Sequence, residues 1–236
     1  MSRRLLLIGG ALALLLVAPA AALAEAPQVA TYEVTITNHT TGQWFTPAVV
    51  ATHRRGFDAF DVGRSVSFEV KEIAENGNID PLVSAAQASR AVWDTKVVLG
   101  VSGPPPIAPG SSVTFEITAA RGAQRISWVS MLICTNDGFT GLDSVRLPSR
   151  VGESATFDTN AYDAGSEINT EAWEDLVPPC AMLTGFGDQG GTAVSNPALA
   201  ENGVIAMHPG IAGVADLVRR HAWINPVATV EVTRTK

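Results

Sequence analysis

Two short segments concentrate side chains that could ligate a metal ion. The segments are residues 136–139 and residues 162–169, and Asp163 follows Asp137 by 26 residues. Together they contain three carboxylates, two carboxamides and two glycines. Ca²⁺ takes about six to eight oxygen ligands in flexible geometry, and glycines allow the sharp turns that gather them. Neither segment contains Cys or His, which argues against zinc or copper. The segments therefore predict a calcium site, although acidic loops of this kind are also common as solvated turns. The carboxylates are Asp137, Asp163 and Glu167.

The same acidic residues raise the alternative of a carboxylate-dependent hydrolase acting on extracellular polysaccharide. Glycosidases set two carboxyl groups about 5–10 Å apart, and Asp163 with Glu167, or Glu171 with Glu174, is a candidate pair. A carboxylate bound to calcium stays ionised, however, and is then no general acid. There is no Gly-x-Ser-x-Gly motif. A non-enzymatic module is the favoured interpretation, and the hydrolase is the alternative.

The elements that must position these residues are mostly strands. Alternating apolar and polar residues, many of them β-branched, recur between turn signals, which is typical of an antiparallel β-sandwich. Pro47 places the second strand near an edge or a bulge. The predicted strands cover residues 31–37, 45–53, 96–101, 112–119, 126–133, 142–147, 154–157, 204–207 and 227–232.

Two short helices interrupt the strand pattern. Ser65 is the predicted N-cap of the first, which Gly77 ends, and the second covers residues 82–91. Both are expected to pack on or beside the sandwich. Residues 160–202 show little periodicity and predict a long loop region that binds something or is anchored by a metal ion or a disulfide.

The N-terminus indicates export. Arg3 and Arg4 precede an apolar run over residues 5–22, and the run ends at Ala22-Leu23-Ala24. This pattern predicts a signal peptide over residues 1–24, cleaved after Ala24, with an uncleaved anchor as the alternative. Residues 25–236 are then a single domain, secreted or periplasmic. No later segment is apolar and long enough to span a membrane, and no Cys follows the cleavage site to carry a lipid.

The net charge argues against one class of partner, and the cysteine content predicts a disulfide. The chain has a net charge of −7, and cleavage after Ala24 leaves 14 basic against 23 acidic residues. Such an acidic chain is a poor nucleic-acid binder, because phosphate contacts need clustered positive charge. Cys134 and Cys180 are the only cysteines, and in an oxidising compartment they are expected to form a disulfide, with two buried free thiols as the alternative.

The histidines and aromatic residues carry weaker signals. The four histidines lack the spacing of known metal motifs, so a structural role is favoured over ligation. Five aromatic residues near the loops could form a ligand-binding rim, but core packing is the favoured interpretation. The histidines are His39, His53, His208 and His221. The aromatic residues are Trp44, Phe45, Phe139, Trp173 and Phe186.

The acidic segments and the strand before them resemble a known family. Residues 130–133 (Ser-Met-Leu-Ile), followed by Asn136-Asp137 and then by residues 162–167 (Tyr-Asp-Ala-Gly-Ser-Glu), are similar to the spondin N-terminal domain of F-spondins and of exported bacterial proteins. Further similarity extends over nearly the whole mature chain. It lies at residues 52–53, 60–63, 74–77, 107–110, 207–211 and 223–228.

The resemblance implies a fold, a metal and a role. The fold is a C2-like β-sandwich with a calcium ion at one end, and the matching ligands here are Asp137, Asp163 and Glu167. Glu167 departs from the family pattern, since F-spondin has aspartate at that place. Asn136, Asn169 and Glu171 are expected as additional ligands or supporting groups. The implied role is a non-enzymatic adhesion or binding module with structural calcium, and the partner is an extracellular or envelope protein or a glycan.

Overall fold

The computed structural model describes residues 28–101, 105–188 and 190–236, so the predicted signal peptide lies outside the described residues. The described chain forms two antiparallel sheets that pack face to face. In spatial order, the four-stranded sheet contains β4 (Ser112–Ala120), β1 (Val29–Asn38), β10 (Ala228–Arg234) and β7 (Ser154–Thr159). The six-stranded sheet contains β3 (Val92–Val98), β2 (Ala48–His53), β5 (Arg125–Met131), β6 (Gly138–Arg146), β8 (Ala161–Asp163) and β9 (Ala206–Met207).

The main core lies between the two sheets. Side chains of β1 alternate between buried and more exposed positions, as expected for a strand with one face against the core. Val34 and Ile36 are fully buried, and they belong to the same apolar cluster as Phe45 and Trp128 from the side of the other sheet. Full burial of each such side chain contributes about 1.5–3 kcal/mol. The predicted antiparallel sandwich is confirmed.

Two short helices cover the outer face of the six-stranded sheet. Helix α1 (Phe68–Asn76) and helix α2 (Asp80–Ala88) contribute Ile73 and Leu82 to a second apolar cluster, which includes Met131 of β5. The N-cap of α1 is Ser67, whose hydroxyl accepts the Val70 N–H, and not Ser65 as the sequence predicted. Gly77 ends α1 as predicted, with a left-handed φ of 65°. The packing of the helices on the sandwich is confirmed.

Several predicted strands have other bounds in the structure, among them residues 142–147, which lie in β6 (Gly138–Arg146), and residues 204–207, of which β9 keeps Ala206–Met207. β3 begins at Val92 and ends at Val98, whereas the prediction was 96–101, because pairing with β2 selects the earlier residues. β2 lies between β3 and β5 and is not an edge strand. It begins at Ala48, directly after Pro47, so the missing N–H of proline costs no ladder hydrogen bond. The bulge in β2 is at Thr52 and His53.

The segment predicted as a long loop contains short elements. β8 lies at its start, helix α3 (Pro179–Thr184) at its middle, and 3-10 turns occur at Trp173–Asp175 and Pro197–Leu199. A further 3-10 turn spans Arg219–His221. Within the described part of the chain, no helix combines the length and the apolar character that crossing a bilayer requires.

Candidate metal centre

The turn between β5 and β6 presents Asp137. It is tight because the Thr135 hydroxyl accepts the Gly138 N–H at 2.9 Å and donates to the Leu132 carbonyl at 2.6 Å. A Cβ on Gly138 would lie 2.5 Å from the Thr135 hydroxyl oxygen, so only glycine fits there. This packing fixes the backbone of Asp137 in the interior.

The Asp137 carboxylate is fully buried and only half satisfied. Its Oδ2 accepts the backbone N–H groups of Ser166 and Glu167 at 2.8 and 3.0 Å, and the Ser166 hydroxyl at 3.2 Å. Its Oδ1 is buried and has no hydrogen-bond partner among the described residues. Burying an anionic oxygen without a partner costs free energy, so Oδ1 is expected to bind either a proton or a cation.

Asp163 lies beside Asp137 because of strand pairing. β8 pairs with β6 so that Asp163 is opposite Gly138, one residue from Asp137. Its Oδ1 accepts the Gly165 N–H at 2.7 Å and its Oδ2 accepts the Asn169 amide at 2.6 Å. Gly165 has a φ of 65°, and a Cβ there would lie 2.7 Å from the Val204 backbone. The loop after β8 therefore wraps the two aspartates tightly.

Glu167 is buried at the entrance of an acidic cavity. Its Oε1 accepts the Asn196 N–H at 2.9 Å, and only 4% of the residue is exposed. The cavity, of about 260 Å³, is also lined by Glu75, Glu174 and Asp175. Among the residues that the structure describes, the buried Glu75 carboxylate has no hydrogen-bond partner, and its one ionic partner is Lys71 at 3.5 Å. Sequence reasoning did not identify Glu75, although a carboxylate on the apolar side of a helix is a recognisable signal.

The crowding of carboxylates shifts their acidity. Burial, and secondly the charge of Asp163, raises the pKa of Asp137 to about 7, against the opposing hydrogen bonds from Glu167 and Ser166. Burial also raises the pKa of Glu167 to about 7, assisted by the charges of Glu75 and Asp137. Both groups are therefore held in an environment that disfavours a lone negative charge and favours a bound positive one.

The three predicted ligands are neighbours but do not form a closed cluster. Within the described ranges, one set of three ionisable side chains has ligand atoms within 4.8 Å of one another, and it does not include Asp137, Asp163 or Glu167. An ion held by all three carboxylates requires them to move closer together. The unpartnered Oδ1 of Asp137 and the flexible geometry of calcium are compatible with that movement.

The additional residues of the prediction have distinct places. Asn136 donates to the Thr170 hydroxyl and accepts the Glu171 N–H, so it braces the second loop. Asn169 donates to Asp163 as a supporting group. The Glu171 carboxylate accepts three backbone N–H groups at 2.6–3.0 Å and anchors another loop. These three bonds give Glu171 a structural role in the loop at residues 212–214.

A disulfide joins the site to the segment after β8. Cys134 and Cys180 are bonded, with their Cα atoms 5.1 Å apart, which confirms the predicted pairing. They and His221 are the three side chains with ligand atoms within 4.8 Å. Because the sulfur atoms are bonded to each other, they are not available to a metal ion. His221 accepts the Val218 N–H at Nδ1 and packs edge-on against Trp173.

The remaining histidines and aromatics are structural. His53 bonds to Ser127 at 2.8 Å, and His39 to Thr229 at 3.0 Å. His208 accepts the Gly210 N–H at Nδ1, and burial lowers its pKa to about 4, against the opposing charges of Asp163 and Glu171.

The five aromatic residues do not form a rim as a set, which was the alternative to core packing. Phe45 and Phe139 are fully buried, and Phe139 packs on Phe60 and Tyr162. Trp173 is half-buried against Phe186, which is 37% exposed. Core packing, the favoured interpretation, therefore holds for Phe45 and Phe139.

The raised pKa of Asp137 predicts a pH dependence of stability in EDTA. The folded carboxyl keeps its proton up to about pH 7, whereas the unfolded one releases it near its ordinary value of 3.8. The folded state thus binds more protons in that window, and its stability falls as pH rises through it. We expect a loss of about 2–4 kcal/mol between pH 4 and pH 7.5 by urea unfolding.

Two aspartate variants test which group causes this change of stability with pH. Asp137→Asn cannot ionise and should reduce the pH dependence by the contribution of Asp137, leaving that of Glu167, whose pKa is also raised to about 7. Asp158→Asn, on an exposed position of β7, should leave the pH dependence unchanged. A slope of equal size in Asp137→Asn would show that other groups cause the pH dependence.

Comparison with known proteins agrees with this architecture. The family described as Spondin_N matches residues 30–172, which include Asp137, Asp163 and Glu167. No curated protein matches the chain significantly. Domains of this family are extracellular adhesion-type modules and are generally non-catalytic. Since the match covers more than half of the 236 residues, the chain belongs to the spondin N-terminal domain family.

Proposed function

We propose that this chain is an exported adhesion module whose loops are held together by a calcium ion at Asp137, Asp163 and Glu167. The observation that carries the proposal is the buried Oδ1 of Asp137, which has no hydrogen-bond partner among the described residues and lies beside a second aspartate. A divalent cation supplies the missing partner and offsets the burial of the charge and the repulsion by Asp163, which together raise the pKa of Asp137.

The role of the ion is structural in this proposal. Asp137 belongs to the turn between β5 and β6, whereas Asp163 and Glu167 belong to the end of β8 and the loop after it. Calcium would bridge these two parts of the chain and keep the carboxylates ionised. Asn169 and Ser166, which bond to Asp163 and Asp137, would orient the ligands.

Export and adhesion are supported by the family and by the disulfide. A buried disulfide is typical of proteins that leave the reducing cytosol. Together with the apolar N-terminal run it supports a secreted or periplasmic location after cleavage behind Ala24. The partner is an extracellular or envelope protein or a glycan, which the acidic end would contact through the ordered loops.

Thermal unfolding in EDTA and in graded Ca²⁺ tests the ion. We expect stabilisation that saturates in the extracellular range, near 10⁻⁴–10⁻³ M or tighter, and amounts to about 2.7 kcal/mol at a hundredfold excess over Kd. The Tm should then rise by about 5–11 °C. Mg²⁺ should give a smaller shift, because it demands near-octahedral geometry and dehydrates reluctantly.

Matched aspartate variants assign the shift to the site. Asp163→Asn should abolish it, while Asp158→Asn, which changes the same charge on the exposed face of β7, should retain it. A calcium shift that survives in Asp163→Asn, or no shift in the wild type, would contradict the proposed site.

A further inference from the structure

The end of the sandwich away from the acidic loops gathers much of the positive charge of an acidic protein. Two adjoining cavities of about 410 and 220 Å³ share Tyr32, Gln124 and Arg234 in their walls. Six of the 16 basic residues of the chain line them. Among the described lining residues there is no Asp or Glu. The six are Arg54, Arg55, Arg121, Arg125, Arg146 and Arg234.

The strand ends bring these residues together from distant parts of the sequence. Arg54 directly follows β2, Arg121 follows β4, Arg125 begins β5, and Arg146 and Arg234 end β6 and β10. Because β6 has Gly138 at one end and Arg146 at the other, its length of about 26 Å separates this groove from Asp137. The arginine groove, as we call the two cavities, is thus distinct from the candidate calcium site.

The arginines are not neutralised by the protein itself. In the described portion of the chain, the one ion pair within 4.0 Å is Lys71–Glu75, so none of the six has an Asp or Glu partner at that distance. Arg234 Nε donates to a main-chain oxygen of Lys236 at 2.9 Å. Glu153, near the rim, has its Oε2 engaged by the backbone N–H groups of Ser149 and Arg150. Unpaired guanidinium groups in a concave site focus a positive potential on whatever enters.

Strand pairing places two of these arginines next to each other, so that their positive charges repel. Arg125 and Arg146 are opposite each other in the register of β5 and β6, and like charges so placed destabilise a sheet. The Arg125 guanidinium donates to the Ser144 carbonyl, and that of Arg234 donates to the carbonyls of Ser149 and Lys236. These hydrogen bonds hold the guanidinium groups of Arg125 and Arg234 at the groove.

The groove suits an oxyanion on a carbohydrate better than a membrane. Guanidinium groups bind sulfate and phosphate through paired hydrogen bonds, and a cavity of about 410 Å³ is within the roughly 300–1,000 Å³ of small-molecule sites. Tyr32, Leu147 and Pro148 in the wall of the larger cavity are buried. Val29 at the smaller cavity is 45% exposed, and a single valine is too little apolar surface for insertion into a bilayer. The acidic remainder of the chain would also be repelled by an anionic lipid surface.

From this geometry we infer that the arginine groove binds sulfated or phosphorylated sugar units of an extracellular polysaccharide. The site is independent of calcium, because none of its lining residues is a predicted ligand of the ion.

Fluorescence anisotropy with labelled dextran sulfate, and neutral dextran as the reference, tests the inference. The wild type should bind dextran sulfate alone, equally well in EDTA and in Ca²⁺, and more weakly as salt increases. Arg55→Glu/Arg146→Glu, at two exposed positions, should weaken binding at least tenfold. Arg90→Glu/Lys96→Glu, which makes the same charge change at exposed positions outside the groove, should stay within about twofold.

Stability separates a binding role from a structural one. Arg146→Glu places opposite charges across β5 and β6, so its Tm should rise while its binding falls. The uncharged pair Arg55→Gln/Arg146→Gln should also lose binding, with an unchanged circular dichroism spectrum.

Three results would overturn the inference. Equal losses in the groove variant and its control would indicate non-specific attraction. Binding to phosphatidylserine vesicles without binding to dextran sulfate would indicate a lipid site. Saturable binding of inorganic sulfate without dextran sulfate would indicate a free-anion site. Calcium binding can fail or succeed without changing any of these outcomes, so the two proposals are tested separately.

Discussion

Replacing Cys134 and Cys180 with alanine is expected to lower the free energy of unfolding by about 4 kcal/mol. The disulfide closes a separation of 46 residues, and in the chain-entropy treatment a loop of this size gives about that stabilisation. Both residues are nearly fully buried, so the lost sulfur contacts add to the effect. For a domain of this size, about 4 kcal/mol corresponds to a fall in Tm of roughly 8–16 °C.

Urea unfolding in EDTA of the oxidised wild type and of the double alanine variant measures this effect without a contribution from calcium. The wild type treated with a reductant is the second comparison, and it should approach the double variant. A difference below about 1 kcal/mol between oxidised wild type and variant would mean that the bridge does not constrain the unfolded chain as the loop length requires.

Replacing Glu171 with alanine is the second large effect that we expect, at about 3 kcal/mol. The carboxylate accepts the N–H groups of Ala212, Gly213 and Val214 at 2.6, 2.7 and 3.0 Å. Each lost bond to a charged group costs about 1.5–3 kcal/mol. Glu171 is only 4% exposed, but Ala212, Gly213 and Val214 are exposed, so water reaches their N–H groups and offsets about half of the summed loss. The Glu171 backbone carbonyl also accepts the Asp216 N–H and should keep that bond.

Glu174→Ala is the matched control, because Glu174 is exposed and lies three residues away. Its effect on stability should stay within about 0.5 kcal/mol by the same urea measurement. Calcium titration of Glu171→Ala distinguishes a residue that anchors the loop from a calcium ligand. If Glu171 only anchors the loop, the variant keeps the calcium Kd of the wild type at temperatures below its thermal unfolding. Equal destabilisation by the two alanine variants would contradict the anchoring role.

Local patterns were sufficient for the sandwich and for the position of the acidic loops. Alternation over residues 31–37 and 112–119 identified β1 and β4, because a strand with one buried face needs that period. The pairing of Cys134 with Cys180 followed from compartment and cysteine count. These features depend on nearby residues or on composition, so one sequence is enough to predict them.

Features that depend on distant residues were not predictable in the same way. Ser65 and Ser67 are both plausible N-caps, and only the packing of α1 on the six-stranded sheet selects Ser67. The sequence offered Glu171 as an additional ligand or a supporting group, and its bonds to the backbone 41–43 residues later could not be predicted from the local pattern. The arginine groove has no motif, because its residues come from five separate strand ends between Arg54 and Arg234.

A crystal structure of the mature protein equilibrated with Ca²⁺, with an anomalous difference map to locate the ion, tests the central claim most directly. We predict one calcium ion bonded to Asp137 Oδ1 and to the carboxylates of Asp163 and Glu167, at about 2.3–2.6 Å from each oxygen. We also predict that the carboxylates lie closer together than in the structure described above. A map with no ion between these residues, or with Asp137 Oδ1 bonded to a proton donor in its place, would contradict the calcium site.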